Sequence, residues 1–288
     1  MIKKGKIFVG ISGGVDSSVA ALLLKEQGYE VHGIFVKTWT PEWLPCSWIA
    51  EKRDAMRVCA ALNIPFHFLD ASDEYEHGIA EYMIAEYKMG RTPNPDVLCN
   101  RVIKFGVMWQ YAKAHGAHGI ATGHYAQCDG NFLYKGKDPA KDQSYFLWML
   151  TKEELGHVHF PIGALPKQQV RAIAKRAGLL TAQKKDSQGI CFLGDIDMRD
   201  FLSHYIEQKS GNVVTETNEI IGTHDGVWFY TLGERHGFQI TKKTPHDKAY
   251  YVIGKNLSKN ELIVSTSSPA TSPEKKSQRL YCAIQTGS

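Results

Sequence analysis

From Lys6 to Tyr125 the chain alternates between two hydrophobic rhythms. Four short, largely apolar runs have the length of strands buried on both faces: Lys6 to Ile11 (KIFVGI), Val31 to Val36 (VHGIFV), Phe66 to Leu69 (FHFL) and Gly119 to Thr122 (GIAT). Between them, apolar residues recur every three or four positions. That spacing predicts helices over Ser17 to Gln27, Ile49 to Leu62, Glu74 to Met89 and Val102 to His115. Asp16 or Ser17 can cap the first helix, and Gly28 ends it. Thr38 to Ser47, with Trp39 and Trp43, reads as a loop, and Asn94 to Asn100 (NPDVLCN) interrupts the alternation. Strands and helices in this order predict an α/β fold: a Rossmann-like, mostly parallel sheet covered on both sides. Ligands of such sheets lie beyond the carboxyl ends of the strands. The glycine loop after Ile11, the Trp39 loop and Gly123 are therefore expected to converge on one crevice.

Beyond Asp129 the pattern loosens into a hairpin-like Phe132 to Lys135 and an amphipathic helix over Gln168 to Ala177. A second, small mixed α/β domain is expected from near Arg199. It would hold a helix over Phe201 to Gln208 and short strands at Gly211 to Val214, Val227 to Tyr230, Tyr250 to Ile253 and Leu262 to Val264. Ser265 to Lys276, rich in Ser, Thr, Pro and Lys, reads as a tail. The expected division is 1–198, 199–264 and 265–288.

With 288 residues, 43% of them hydrophobic, the chain can bury one sizeable core and a smaller second one, which excludes a wholly disordered protein. There is no secretory leader pattern and no apolar run long enough for a membrane span, so a cytoplasmic protein is expected, with no membrane partner and a monomeric state. A net charge of +4 permits a polyanionic partner without requiring one. The cysteines, Cys46, Cys59, Cys99, Cys128, Cys191 and Cys282, are widely spread and contain no CxxC pair. Such a set fits core filler plus a few reactive thiols better than a disulfide scaffold. A zinc or iron–sulfur site wants three or four soft ligands and only Cys99 and Cys191 are well placed by motif, so no resident metal site is expected, with a cluster that recruits a third ligand left open as the alternative.

The candidate chemistry begins at Ser12 to Ser18 (SGGVDSS). Two glycines between a buried strand and a helix aim backbone N–H groups at one point, at the positive end of the helix dipole, where phosphate binds. Ser12, Ser17 and Ser18 add hydroxyls, and Asp16 can cap the helix or bind Mg²⁺. The lysine of the ordinary triphosphatase loop is absent, which favours holding a pyrophosphate that leaves over steering a γ-phosphate. Two further motifs carry thiols in turn-forming company, suggesting exposed loops: Asp96 and Cys99 in NPDVLCN, and Cys191 in DSQGICF.

SGGVDSS resembles the PP-loop of the ATP pyrophosphatases, which cleave ATP between the α- and β-phosphates. Taken with NPDVLCN, IKFG, TGHYA, KDQSYFL, DSQGICF and YTLGERHG, the chain resembles the tRNA-specific 2-thiouridylase family over Val9 to Gly237. The resemblance implies that Gly10, Ile11, Ser12, Gly13, Gly14, Val15, Asp16 and Ser17 hold ATP with Mg²⁺, alongside Val36 and Gly123. It implies that Asn94, Pro95 and Asp96 meet the target base, and that Lys141, Asp142 and Gln143 contact tRNA. Cys191 would carry a persulfide, and Cys99 would be the nucleophile or resolving thiol. The implied partners are tRNAs with U34, of the Lys, Glu and Gln type, and a cysteine desulfurase or sulfur relay. Two routes stay open: Cys99 attacks the Cys191-linked sulfur, leaving a Cys99–Cys191 disulfide, or it releases sulfide that attacks C2. Asp96 could take the N3 proton or orient the base.

Other readings compete. A PP-loop ligase or thiolase could adenylate another acceptor, and a shortened protein could bind tRNA with little turnover. Lys167, Arg171, Lys175, Arg176, Lys184 and Lys185 precede the Cys191 loop and suggest phosphate contacts, extended by Lys104, Lys113, Lys135, Lys137 and Lys141. The chain departs from the family at Glu234 and His236, and the family's barrel domain, expected after Val264, is read as missing and replaced by the tail.

Overall fold

The computed structural model describes residues 4–44, 48–185, 197–241 and 248–267. By density of contacts the chain divides into two units, one of residues 1–81 and 94–195, the other of residues 82–93 and 196–288.

The first unit opens with β1 (Lys4–Gly10), α1 (Val15–Glu26), β2 (Tyr29–Lys37), α2 (Trp48–Ala61) and β3 (Phe66–Asp70). Then come α3 (Ser72–Tyr75) and a π-helical segment Glu76–Ala80; α4 (Glu81–Lys88) follows in sequence but belongs from Tyr82 to the second unit, and the first unit resumes with α5 (Pro95–Leu98), a second π-helical segment Cys99–Val107 and α6 (Met108–Ala114). The remainder is β4 (Gly119–Ala121), the β5 (Ala126–Cys128) and β6 (Leu133–Lys135) hairpin, α7 (Lys152–Leu155), β7 (Val158–His159) and α8 (Lys167–Arg176).

Five strands form a sheet in the order β3-β2-β1-β4-β7, and every neighbouring pair is parallel. Because successive side chains point to opposite faces, Ile7 and Val9 of β1 enter one core and Phe8 the other. Ile7, Val9, Val31 and Phe35 pack against Val15, Val19 and Leu24 of α1, Ala55 and Val58 of α2, and Val170 and Ala174 of α8. Phe8, Ile34 and Ile120 pack against Phe105, Met108 and Ala112 on the opposite side. The strand order reverses at β1: β2 and β3 lie to one side, β4 and β7 to the other. The loop after β1 and the residues after β4 therefore sit at a topological switch point.

The NPDVLCN stretch is not a loop. Asn94 caps α5, its side-chain oxygen accepting from the backbone N–H of Asp96 (3.1 Å) and Val97 (3.3 Å), with Pro95 at the first helical position. Helical structure then continues from Pro95 to Ala114. The turn-forming composition marks a helix start, not an interruption.

The second unit contains α9 (Met198–Ser203), β8 (Gly211–Val214), β9 (Ile220–His224), β10 (Gln239–Ile240), β11 (Tyr251–Asn256) and β12 (Glu261–Ser265). The strands form one sheet in the order β10-β9-β8-β12-β11, in which only β12 and β8 run parallel. Val227 to Tyr230, read as a strand, is a 3₁₀ turn over Val227–Phe229. The buried Asn260 explains this: its side-chain oxygen accepts from the Val227 N–H (3.2 Å), and its amide donates to the carbonyls of Lys209 and Ser210 (2.9 and 3.0 Å). Arg199 donates to the Tyr230 hydroxyl (2.7 Å), and Glu234 accepts from the Thr231 N–H (2.8 Å), pinning the TLGERHG turn. Tyr82–Pro93 belongs to this unit. Lys255 Nζ donates to the Gly90 carbonyl (3.0 Å), and the hydroxyls of Thr92 and Thr231 lie 3.2 Å apart.

Candidate active site

The glycine loop leaves β1 and enters α1 at the switch point. Gly13 has φ +73°, the left-handed region that favours glycine, and lies against α2. Gly14 is the N-cap in extended conformation (φ −93°, ψ 166°), without a side-chain cap. The serine hydroxyls shape the loop itself: Ser17 and Ser18 donate to the Gly14 carbonyl at 3.2 and 2.7 Å, and the Ser12 N–H donates to Ser17 Oγ at 3.3 Å. Ile11 and Val15 are buried and anchor the loop in the core.

Asp16 does not cap α1. The helix starts at Val15, so Asp16 falls inside its first turn, where its carboxylate meets residues remote in sequence. Tyr125 OH donates to it at 2.8 Å, and Lys167 Nζ lies 2.8 and 2.7 Å from its two oxygens. On the other side of the loop, Lys184 donates to the Gly13 carbonyl (3.1 Å) and to Asp54 on α2 (2.7 Å). The hydrogen bond from Lys184 holds the Asp54 carboxyl below its ordinary range, whereas burial pushes nearby Glu51 up. Gly123 abuts α1: a Cβ there would stand 2.7 Å from the Ser17 nitrogen and 2.8 Å from the Asp16 carbonyl carbon. Its neighbour His124 is buried and bonded to the Thr122 hydroxyl (2.7 Å), and burial keeps it well below the usual histidine value. Val36 is half-buried near the end of β2, paired in register with Leu69. Gly10 faces the thioether of Met108.

Met108 also places Cys99. The helical run passes Gly10 at Met108 and reaches the other end of β1 at His115, whose carbonyl accepts from Lys6 Nζ (3.1 Å). It therefore runs antiparallel to β1, and Cys99, nine residues before Met108, lies further along the helical run in the direction of the strand's carboxyl end. This is the crevice side, shared with the glycine loop. The expectation that Cys99 sits in an exposed loop is corrected: its side chain is 1% exposed, on the inner face of the helix with Ile103. Asp96 is half-buried and Asn94 exposed one turn earlier, while Pro95 is buried. Cys59, Cys99 and Cys128 form no disulfide with one another. Cys191 and the whole DSQGICF motif lie outside the described residues, as do Cys46 and Cys282.

Lys141 ends a turn closed by its N–H donating to the Asp138 carbonyl (3.1 Å), and Asp142 and Gln143 follow it. Although partial burial opposes it, hydrogen bonds from the N–H groups of Gly136 and Ser144 hold the Asp142 carboxyl below its ordinary range. Gln143 clasps Tyr125: its side-chain oxygen accepts from the Tyr125 N–H (3.1 Å), and its backbone N–H donates to the Tyr125 carbonyl (2.9 Å). Exposed aromatics surround this turn in sequence: Phe132, Tyr134, Tyr145 and Trp148, with Lys135 and Lys137 also exposed.

The basic group around α8 divides. Lys175, Arg176 and Lys185 are exposed, as a phosphate-contacting face requires. Lys167 is buried, Arg171 donates to the carbonyls of Ala182 and Lys184 (2.9 and 3.0 Å), and Lys184 faces the glycine loop. These three turn inward, toward the glycine loop and the segment after α8, because α8 lays Val170 and Ala174 on the core shared with α1. No sequence spacing announces the pairs Lys167–Asp16 and Lys184–Gly13; their members stand 151 and 171 positions apart.

A parallel sheet with a strand, glycine loop and helix at its switch point defines a HUP-type nucleotide domain, and residues 5–195 match the tRNA methyl transferase HUP domain family. Residues 199–266 match the tRNA methyl transferase PRC-barrel domain. The chain is 47% identical to the tRNA-specific 2-thiouridylase MnmA of Enterococcus faecalis, covering 91% of this chain and 72% of the relative. It is 50% identical to the enzyme of the same name from Halalkalibacterium halodurans, covering 90% and 71%. Among solved structures, the U34-tRNA thiolase NcsA of Methanococcus maripaludis with its [4Fe-4S] cluster is similar at 18% identity and TM-score 0.44, over 70% of this chain and 65% of that one. The chain belongs to the tRNA-specific 2-thiouridylase family. The barrel domain read as missing is present: it is the module at 199–266, whose strands are too short and irregularly spaced to announce a barrel.

Proposed function

We infer that the protein catalyses ATP-dependent 2-thiolation of the wobble uridine of tRNA, acting as a sulfurtransferase. The observation that carries the reading is that the glycine loop and the Asn94-capped helical run bearing Asp96 and Cys99 both meet β1 at Gly10, in a chain nearly half identical to 2-thiouridylases. Such enzymes use ATP and Mg²⁺. The residues fit that pair: Mg²⁺ is typically held by one or two carboxylates plus substrate phosphates, and Asp16 is the carboxylate in the first turn of the helix that the loop caps. Bound there, the ion would neutralise charge on the departing pyrophosphate.

The uracil C2 oxygen attacks the α-phosphorus, an O–P bond forms, and pyrophosphate leaves with the electron pair of the broken bond. AMP on that oxygen becomes the leaving group when sulfur reaches C2. Asp96, half-buried one turn before Cys99, would hold the base edge and accept the N3 proton. A persulfide on Cys191 supplies the sulfur, and Cys99 is the second thiol. Cys99 is covered, so its action requires the start of this helix to open. The exposed Phe132, Tyr134, Tyr145 and Trp148 with Lys135 and Lys137 suit single-stranded RNA, whose bases stack on aromatic rings while cations meet phosphates. tRNAs of the Lys, Glu and Gln type, supplied with sulfur by a cysteine desulfurase or relay, complete the proposal.

The test supplies ATP, Mg²⁺, a cysteine desulfurase with cysteine, and unmodified tRNA carrying U34, then weighs the nucleosides by mass spectrometry. Thiolated uridine should form, and Cys99→Ser and Cys191→Ser should each abolish it while pyrophosphate is still released by the adenylation step. Thiolation at the normal rate by Cys191→Ser would overturn the sulfur assignment.

A further inference from the structure

The loop proposed to hold ATP contains no cation of its own, and the fold brings two lysines to it. They do not stand equally. Lys184 is bonded to the Gly13 carbonyl, and in a trans peptide the C=O points opposite to the following N–H. Lys184 therefore lies behind the Gly13–Gly14 peptide, away from the N–H that would greet a phosphate, and clamps the loop to Asp54 of α2. Lys167 stands elsewhere, at the first turn of α1, gripping the Asp16 carboxylate through both oxygens. Its Nζ is 5.6 Å from the centre of the Tyr125 ring, and its own N–H donates to Asp138 (3.0 Å), which fixes the start of α8 and the reach of the side chain. Burial of a lysine ammonium is costly without a counter-charge, and at this position the counter-charge is the carboxylate best placed to share a metal with ATP.

We propose that Lys167 is the catalytic cation of this site, stored on Asp16 before ATP binds and turned to the α,β-bridge of ATP when the Asp16 carboxylate is taken up by magnesium. The ammonium then stabilises the charge that grows on the bridging oxygen as the α-phosphorus bond breaks, and returns to Asp16 when pyrophosphate departs. Lys184 positions the loop and does not touch the nucleotide. The inference rests on reading this loop as the ATP site, and it assigns to the nucleotide a residue that sequence alone puts on the RNA surface.

Two measurements test it on the full chain. In the first, ATP and AMP are titrated with Mg²⁺ into wild type, Lys167→Gln, Lys167→Arg and Lys184→Gln, with thermal melting of each. Lys167→Gln should weaken ATP by about thirtyfold, the loss of one charge-assisted contact, and AMP by less than about threefold, with Lys167→Arg keeping most of the preference for ATP. Lys184→Gln should weaken both nucleotides alike. In the second, the unaltered protein is treated with an acyl phosphate of ADP, whose mixed anhydride acylates an amine beside the terminal phosphate, and the modified lysine is mapped by mass spectrometry. Lys167 should be acylated, and excess ATP should protect it. Acylation of Lys184 instead, or equal loss of ATP and AMP in Lys167→Gln, overturns the inference. If wild type binds no ATP, the reading of the loop itself fails.

Discussion

Gly13 and Gly14 are neighbours in one motif, yet the fold needs them for different reasons, and alanine at each separates stability from ligand binding. At φ +73° an L side chain at Gly13 costs about 1–2 kcal/mol. A Cβ there would also stand 2.8 Å from Asp54 Cβ and 3.0 Å from the Glu51 carbonyl, both on α2. Overpacking of that kind costs about 1–3 kcal/mol, so Gly13→Ala should lose about 2–5 kcal/mol in all. Gly14 is in extended conformation, which any residue adopts, and its Cβ would meet only Ser12 Oγ, at 3.4 Å. Gly14→Ala should therefore change stability by less than about 1 kcal/mol, while its methyl crowds the phosphate side of the loop and weakens ATP about tenfold or more. Urea unfolding followed by fluorescence gives the first quantity and ATP titration the second. Matching urea midpoints for the two variants would refute the assignment of Gly13 to backbone strain and Gly14 to the ligand.

Burial holds His67, His124, His157, His159 and His224 below the ordinary histidine value. The unfolded chain then binds protons near pH 6.5 that the folded one refuses, so stability is complete above that pH and declines as pH falls below it, by up to about 1.4 kcal/mol per unit for each group. The urea midpoint should drop steadily from pH 7 to pH 5, and a flat profile would contradict the burial of these rings. Cys59, its thiol pushed up to about 11 by burial, and the covered Cys99 should resist alkylation in the native protein, with mass mapping as the readout; labelling as fast as in urea would show both to be open. Asn94→Ala should cost about 1 kcal/mol through the lost cap, whereas Asn94→Asp keeps the acceptor and the stability. Equal losses in urea unfolding would remove Asn94 from the cap.

Local signals in the sequence were legible and distant ones were not. The runs KIFVGI, VHGIFV and GIAT are strands because residues buried on both faces leave an apolar signature inside a few positions, and FHFL, half-buried at the sheet's edge, carries the same signature. The glycine loop was readable for the same reason. NPDVLCN misled because the residues that favour turns also start helices, and only the burial of Val97, Cys99 and Ile103 distinguishes the two. Lys167 and Lys184 read as part of a phosphate-contacting basic face because helical spacing says which residues share a side, not what that side meets. The barrel module escaped because strands as short as Gln239–Ile240 carry almost no periodicity.

The dozen residues Tyr82–Pro93 have a consequence for anyone who would divide this protein. They leave the nucleotide domain's stretch of sequence only to be claimed by the other sheet: the Gly90 carbonyl takes the Lys255 ammonium, and Thr92 meets Thr231. Severing the chain after residue 195 therefore does not yield a clean half, since it strips these residues of their lysine and threonine partners just ahead of Asn94 and Cys99. Transplanting 196 onward leaves Lys255 and Thr231 without these partners. The chain threads both halves at the doorstep of the thiol, and neither can be borrowed without the thread.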